Sequence, residues 1–435
     1  MTPLFVGASG LALLLVLLAL RVPIALALGS VSVIGVAIIR GPTAAISVLA
    51  DQPYNFIAHW SLSAVPMFLL MGAVAYHAGL TQSLFKAARL WLSRLPGGLA
   101  VSSTMACAGF AAASGSSVAT AAAMGRIAIP EMLKYRYDPG LAAGSVAVAG
   151  TLGSLIPPSI LMVLYAIFAE VSISRALMAG ILPGLLSAAM FVALIVIRCK
   201  LNPALAPPPD DRPTWRERFV VLLEIWPLPV LVLAVIGGMY SGIFTATEAA
   251  AGGAFLAFVL AAVQGRLTWQ VARNAILDAL RGTSTILFIA IGGFLFSRFM
   301  AFSGLPTHIS TIVEQMAWDP ILFMIGISVI FILLGMFLDS IGIMLLTLPI
   351  MIPVLQALEL DLIWFGVIMI KYLEIGLVTP PVGLNCFIIK GVVGRLMTLT
   401  TIFRGVAWFI AADIVTLALL ISFPAIALFI PSMMN

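Results

Sequence analysis

Long apolar runs without a single charge, such as Leu182–Ile197 and Pro320–Leu338, alternate along this chain with short loops that hold most of its basic residues. Runs of that length cross hydrocarbon as helices. The first, Leu4–Leu20, has Arg21 after it and no basic residue before it. A secretory signal peptide carries the opposite flanks, so this run is expected to be a retained membrane helix.

Lys and Arg cluster at Lys86–Arg94, Lys134–Arg136, Arg198–Arg218, Arg266–Arg281 and Arg395–Arg404, whereas residues 41–85, 219–265, 299–370 and 405–435 have none. Basic loops stay on the cytoplasmic side. Threading with these loops inside predicts both termini outside. Leu4–Leu20 comes in, Val22–Ile39 goes out, Pro42–Trp60 lies along the outer surface, and Ser61–Gly79 returns to a basic loop at Thr81–Gly97. The next apolar stretch has basic loops at both ends, which predicts a re-entrant hairpin over 99–135. Leu141–Phe168 then goes out, broken at Gly150–Pro158, and Ala176–Ile197 comes back.

The second half repeats this order with the sides exchanged. Ile225–Tyr240 goes out, Ile243–Val263 comes in, Leu267–Leu280 lies at the inner surface, and Ser284–Phe302 goes out to a loop with Glu314 and Asp319. A hairpin over 321–355 enters from outside. Leu362–Ile389 comes in, broken at Leu373–Pro381, and Gly405–Ile430 goes out. Sequence identities support the duplication at an offset of 223: Ile129-Pro130 falls on Ile352-Pro353, Asp138 on Asp361, Gly153 on Gly376, and Pro157-Pro158 on Pro380-Pro381.

The expected fold is an all-α polytopic membrane protein of two inverted-topology repeats. Each has five spanning helices, one of them broken, and one re-entrant hairpin. Residues 1–201 form the first repeat (arm 42–60, hairpin 99–135, broken helix 141–168). Residues 202–224 form a cytoplasmic linker with Pro203, Pro207, Pro208, Pro209 and Pro213. Residues 225–435 form the second repeat (arm 267–280, hairpin 321–355, broken helix 362–389).

Composition agrees: 62% of residues are apolar and 9% charged, with a mean hydropathy of +1.18, far from soluble proteins. The net charge of +5 sits in membrane-flanking loops, which argues against nucleic acid as a partner. Cys107, Cys199 and Cys386 lie in or beside apolar segments and read as small buried hydrophobes, not as a disulfide framework or a transition-metal site.

Proline and glycine at mid-membrane depth leave carbonyls without intrahelical partners, which is tolerable where they line a cavity or bind something. Carbonyls with hydroxyls nearby suit a hard cation such as sodium. The first break, Gly150–Ser159, faces hydroxyls of the first hairpin at Ser114, Ser116, Ser117 and Thr120. The second break, Glu374–Gly383, faces Gly335 and Asp339, and Ser116 aligns with Asp339. A carboxylate in so apolar a surround is a functional candidate by default. Each break also starts a new helix, at Pro158 or Pro381, whose unpaired amides suit a carboxylate. Lys371 and Glu374, three apart on a helix, read either as an ion pair or as a substrate contact. Arg126, beside the hairpin turn, reads either as an anion contact or as a side chain reaching for the inner surface.

The strings Ser114-Gly-Ser-Ser-Val-Ala-Thr-Ala-Ala-Ala-Met-Gly125, Ala149-Gly-Thr-Leu-Gly-Ser-Leu-Ile-Pro-Pro-Ser159 and Glu374-Ile-Gly-Leu-Val-Thr-Pro-Pro-Val-Gly-Leu-Asn385 resemble the large membrane subunit of tripartite ATP-independent periplasmic (TRAP) transporters. The resemblance implies an elevator-type symporter coupled to Na+, a small four-helix membrane subunit of the Q type, and a periplasmic substrate-binding protein that delivers a small carboxylate. By the same resemblance, one sodium site takes Ser114, Ser117, Gly153, Ile156 and Pro158, and a second takes Gly335, Asp339, Gly376, Thr379 and Pro381. Candidate substrate contacts are Ser116, Thr120, Arg126, Thr151, Ser159, Lys371 and Asn385. Lys371 departs from the family pattern, which usually has an uncharged residue there.

The expected function is sodium-coupled uptake of a small organic acid across the bacterial inner membrane. A stand-alone sodium–dicarboxylate symporter and an ion channel remain as alternatives, the latter because broken helices also build filters. No phosphate-cradling loop, His-Glu-x-x-His or nucleophile elbow occurs, so neither an enzyme nor an ATP-driven pump is expected.

Overall fold

The computed structural model describes residues 2–207, 214–316 and 319–434, and those residues fold as helices joined by turns, with no strand among them. The first half holds α1 (Pro3–Ala19), α2 (Ile24–Arg40), α3 (Pro42–Ile57), α4 (Ala64–His77), α5 (Leu80–Leu92), α6 (Gly98–Ser114), α7 (Ser117–Lys134), α8 (Pro139–Ala149), α9 (Ile160–Phe168), α10 (Ile173–Ala179) and α11 (Ile181–Leu201). The second half holds α12 (Trp215–Ile225), α13 (Pro227–Tyr240), α14 (Ala246–Val263), α15 (Trp269–Ser303), α16 (Leu305–Gln315), α17 (Pro320–Gly335), α18 (Ser340–Ala357), α19 (Leu362–Val378), α20 (Leu384–Val393), α21 (Leu399–Ser422) and α22 (Ala425–Ser432).

Shared caps set equivalent boundaries in the two halves. Asp138 and Asp361 accept from the amides of Leu141 at 2.8 Å and Trp364 at 2.9 Å, starting α8 and α19. Ser116 and Asp339 do the same for α7 and α18, accepting from Ala119 at 3.4 Å and Gly342 at 3.1 Å. Each side chain satisfies an amide that the first helical turn leaves without a partner.

The structure differs from the expected path at four places. The second arm, expected to end at Leu280 before a separate span, is the start of a single 35-residue helix, α15. At 1.5 Å per residue it is roughly 50 Å long. Gly282 alone does not break it, whereas in the first half the extended backbone at His59 parts α3 from a 3-10 turn and α4. The basic loop at Thr81–Gly97 is largely the amphipathic helix α5, which buries Leu80 and Phe85 and turns Lys86 outward. Residues 215–224, expected in the linker, form α12, opened by a capping box between Thr214 and Glu217 and packed on α5. Pro208, Pro209 and Pro213 lie outside the described residues. The second break begins later than expected, because α19 runs unbroken to Val378.

Among the described residues six helices are long and apolar enough to cross a membrane, or seven if α12 and α13, bent by 49°, count as one span. One of the six, α18, is an arm of the expected second hairpin; the expected spans outside this set are α1 and α2, each of 17 residues, and the two helices that their breaks divide. The chain is a multi-pass helical membrane protein.

Small residues allow the closest helix contacts, as expected where lipid-like interiors leave packing as the attraction between helices. A β-carbon on Gly405 of α21 would stand 1.8 Å from the Gly140 carbonyl of α8, and one on Gly144 would stand 2.6 Å from the Gly405 backbone. This seam fixes α21 against the first broken helix. It also carries Asp413 toward α19.

Candidate functional site

The tips of both hairpins dock on the two breaks. At the first, Gly115 ends α6 with φ +62°, a left-handed conformation natural to glycine. Its carbonyl accepts from the Ile160 amide at 3.2 Å, and a β-carbon there would stand 2.2 Å from the Pro158 carbonyl. On the other side of the tip, a β-carbon on Gly153 would meet the Ser116 carbonyl at 2.6 Å and Thr120 Oγ1 at 2.9 Å. Ser114 Oγ and Thr120 Oγ1 lie 2.8 Å apart, and Thr120 also donates to the Ser116 carbonyl at 2.8 Å. Ser114, Ser116, Thr120, Gly153 and Pro158 thus share one buried, oxygen-rich junction. Ser117 is buried at the start of α7. Ile156 turns its side chain away, onto Gly184 of α11.

The second junction is built alike and is more open. Gly335 and Gly376 press backbone to backbone, a β-carbon on Gly376 falling 2.5 Å from the Gly335 Cα. The Val382 amide donates to the Met336 carbonyl at 3.3 Å, joining tip to break. Thr379 Oγ1 is turned back onto the Ile375 carbonyl at 2.6 Å. Residues 150–159 are buried throughout, whereas Thr379 and Asp339 are half-buried and Pro380 to Val382 are exposed. Both Pro-Pro bonds are cis.

Of the residues expected to touch substrate, Ser116 and Thr120 meet at the first junction, and the others make separate contacts. Thr151 donates to the Val148 carbonyl at 2.7 Å. Ser159 donates to the Ser154 carbonyl and caps α9 through the Met162 amide at 3.1 Å. Asn385 reaches across to the Ala147 carbonyl at 3.2 Å, its Oδ1 left without a hydrogen-bond partner among the described residues. Arg126 is exposed.

Lys371 is fully buried, its Nζ 3.0 Å from Glu374 Oε2 and 2.6 Å from Asp413 Oδ1, and 5.5 Å from the ring centre of Phe191. Its ammonium is committed to two carboxylates, which makes it a bridge between α19 and α21. Asp413 escaped the sequence analysis. The signal was available: a lone acid inside an apolar helix, the same test that singled out Asp339.

The family model of the tripartite ATP-independent periplasmic transporter, DctM component, matches residues 11–426. The chain belongs to the DctM family. Among its relatives, the C4-dicarboxylate TRAP transporter large permease protein DctM of Pseudomonas aeruginosa is 36% identical over 388 residues, 88% of this chain and 89% of that one. The ectoine TRAP transporter large permease protein TeaC of Halomonas elongata is 33% identical over 416 residues, 95% of this chain and 96% of that one. The sialic acid TRAP transporter large permease protein SiaM of Vibrio cholerae is 30% identical, covering 89% of this chain and 90% of that one. At the level of fold, the YdaH transporter of Alcanivorax borkumensis aligns with a TM-score of 0.62 at 14% identity, over 88% of this chain and 89% of that one. This DctM-family chain is therefore a transporter permease and not an enzyme.

Proposed function

We propose that this permease takes up a small organic carboxylate across the bacterial inner membrane, coupled to sodium, by an elevator movement of the hairpins and broken helices. The supporting observation is the pair of junctions in which a hairpin tip closes on a proline-broken helix. Carbonyls and hydroxyls gathered there, at the depth of an apolar helix, are the oxygen ligands a sodium ion uses. Ser114, Ser117, Gly153, Ile156 and Pro158 supply the first site. Gly335, Asp339, Gly376, Thr379 and Pro381 supply the second. The relatives named for C4-dicarboxylate, ectoine and sialic acid support a carboxylate as the solute. The repeats lie inverted in the membrane with both termini outside. The long helix α15 and the arm α3 brace the movement as a fixed frame.

Asp339→Asn tests the cation assignment cleanly. Asparagine keeps an oxygen for the Gly342 amide, so the cap of α18 survives while the charge is lost. Interactions with a charged group are worth about 1.5–3 kcal/mol against about 0.5–1.5 kcal/mol for neutral ones, so the sodium concentration for half-maximal uptake should rise roughly tenfold. Ser116→Ala should shift it far less. Unchanged sodium dependence in Asp339→Asn would exclude the second site.

As a member of a tripartite system the permease works with a small four-helix membrane subunit and a periplasmic binding protein. We place the binding protein on the acidic loops beside the second hairpin. Asp319 and Asp361 cap α17 and α19 there, so reversing them would disturb helices as well as charge. Glu314 and Glu359 are exposed. The double change Glu314→Lys/Glu359→Lys should slow binding-protein-dependent uptake several-fold at low salt and little at high salt, since exposed charges are screened beyond about 8 Å at physiological ionic strength. Equal slowing at every ionic strength would move the docking face elsewhere.

A further inference from the structure

A cavity of about 980 Å³ opens between the end of the arm, the α9–α10 corner, the start of α14 and the C-terminal end of α15. Its volume is at the upper end of small-molecule sites. One wall is aromatic: Phe56 lies between Phe168, with ring centres 5.5 Å apart, and Phe294, stacked at 4.7 Å. Arg298 lines the same wall, its guanidinium 5.3 Å from the centre of the Phe294 ring.

Arg298 is an exposed charge near the C-terminal end of α15. Among the described residues that stacking is its whole set of interactions, with no hydrogen bond or ion pair. Five N–H donors therefore remain for a ligand, in the planar fork that matches a carboxylate. The α9–α10 corner contributes Glu170, the single carboxylate of the lining.

The lining thus offers one guanidinium, one carboxylate and an aromatic surface. A dicarboxylate would satisfy Arg298 with one end and bring its second negative charge into a cavity whose other charged group is also negative. A solute with one carboxylate and one cationic nitrogen meets both groups. Its nitrogen gains further from an aromatic face, which attracts ammonium groups once water is excluded. We propose that this cavity is a binding site for a small zwitterionic solute, with the carboxylate on Arg298 and the cationic nitrogen held between Glu170 and the aromatic wall.

The proposal rests on carboxylate uptake and narrows it to one class. Its test is calorimetric titration of the purified full chain in lipid nanodiscs with three zwitterions (glycine betaine, ectoine and β-alanine) and two dicarboxylates (succinate and malate). At least one zwitterion should bind more tightly than either dicarboxylate. Arg298→Ala should weaken that binding at least tenfold, and Arg298→Lys should weaken it less, since it keeps the charge and loses the fork. Glu170→Gln should weaken the zwitterion and strengthen succinate. Melting temperatures of the variants, equal to that of the parent, show that the fold is kept; Arg298→Lys alone carries the comparison if the alanine variant melts early. Tighter binding of succinate that depends on Arg298 would overturn the zwitterion while leaving carboxylate uptake standing. Absence of zwitterion binding, or affinity unmoved by the Arg298 and Glu170 changes, would overturn the site. Failure of sodium-driven uptake of every carboxylate by the assembled transporter would instead sink the functional reading beneath it.

Discussion

Lys371→Met is expected to destabilise the protein by about 3–5 kcal/mol, the cost of removing one partner from a buried ion pair. Lys371, Glu374 and Asp413 have no solvent exposure, so no water replaces the missing ammonium. Methionine fills much of the lysine stem and keeps cavity formation small, which leaves two uncompensated carboxylates as the cause. Glu374 Oε1 and Asp413 Oδ2 already lack hydrogen-bond partners among the described residues. The variant adds the oxygens that the ammonium had engaged. A triple variant, Lys371→Met/Glu374→Gln/Asp413→Asn, should recover most of the loss, because neutral amides cost far less to bury than charges. Thermal unfolding of the full chain in nanodiscs measures both. If Lys371→Met melts with the parent protein, the cluster is not what ties α19 to α21.

Gly115→Val should cut uptake more than tenfold without comparable loss of expression in the membrane. Two effects act at once. A β-branched residue at φ +62° is held in a region that costs roughly 1–2 kcal/mol for any L-residue and more when branched. In addition, the new β-carbon would stand 2.2 Å from the Pro158 carbonyl, so tip and break must separate. That separation dismantles the junction gathering Ser114, Thr120 and Gly153, while helices elsewhere stay packed. Gly391→Ala is the control: a β-carbon there has nothing within 4 Å, and its uptake should match the parent. Full uptake by Gly115→Val would mean that a closed junction is dispensable.

Several features were readable from neighbouring residues alone. Proline lacks an amide and glycine tolerates a left-handed backbone, so Pro157-Pro158, Pro380-Pro381 and Gly115 announce a break or a turn wherever they occur. The aspartates before α8 and α19 announce helix starts for the same local reason. Apolar runs and basic clusters announce the membrane. The offset of 223 then carries each of these from one half to the other.

Other features were not legible, because they depend on which helices meet. The sequence predicted a break between arm and span in the second half, but α15 continues, since a single Gly282 costs a packed helix only about 1 kcal/mol. Lys371 was readable as a partner of Glu374, since residues three apart lie on the same face of a helix. Its second partner, Asp413, lies on another helix, brought near by the Gly140–Gly405 seam, which decides that the ammonium is committed within the protein. The cavity at Arg298 draws its walls from four segments, none of which carries a motif. Backbone chemistry is local, and adjacent residues therefore determine where this chain bends, breaks and enters the membrane. Pairing of charges and the shaping of cavities are acts of packing between distant helices, and only the tertiary structure decides them.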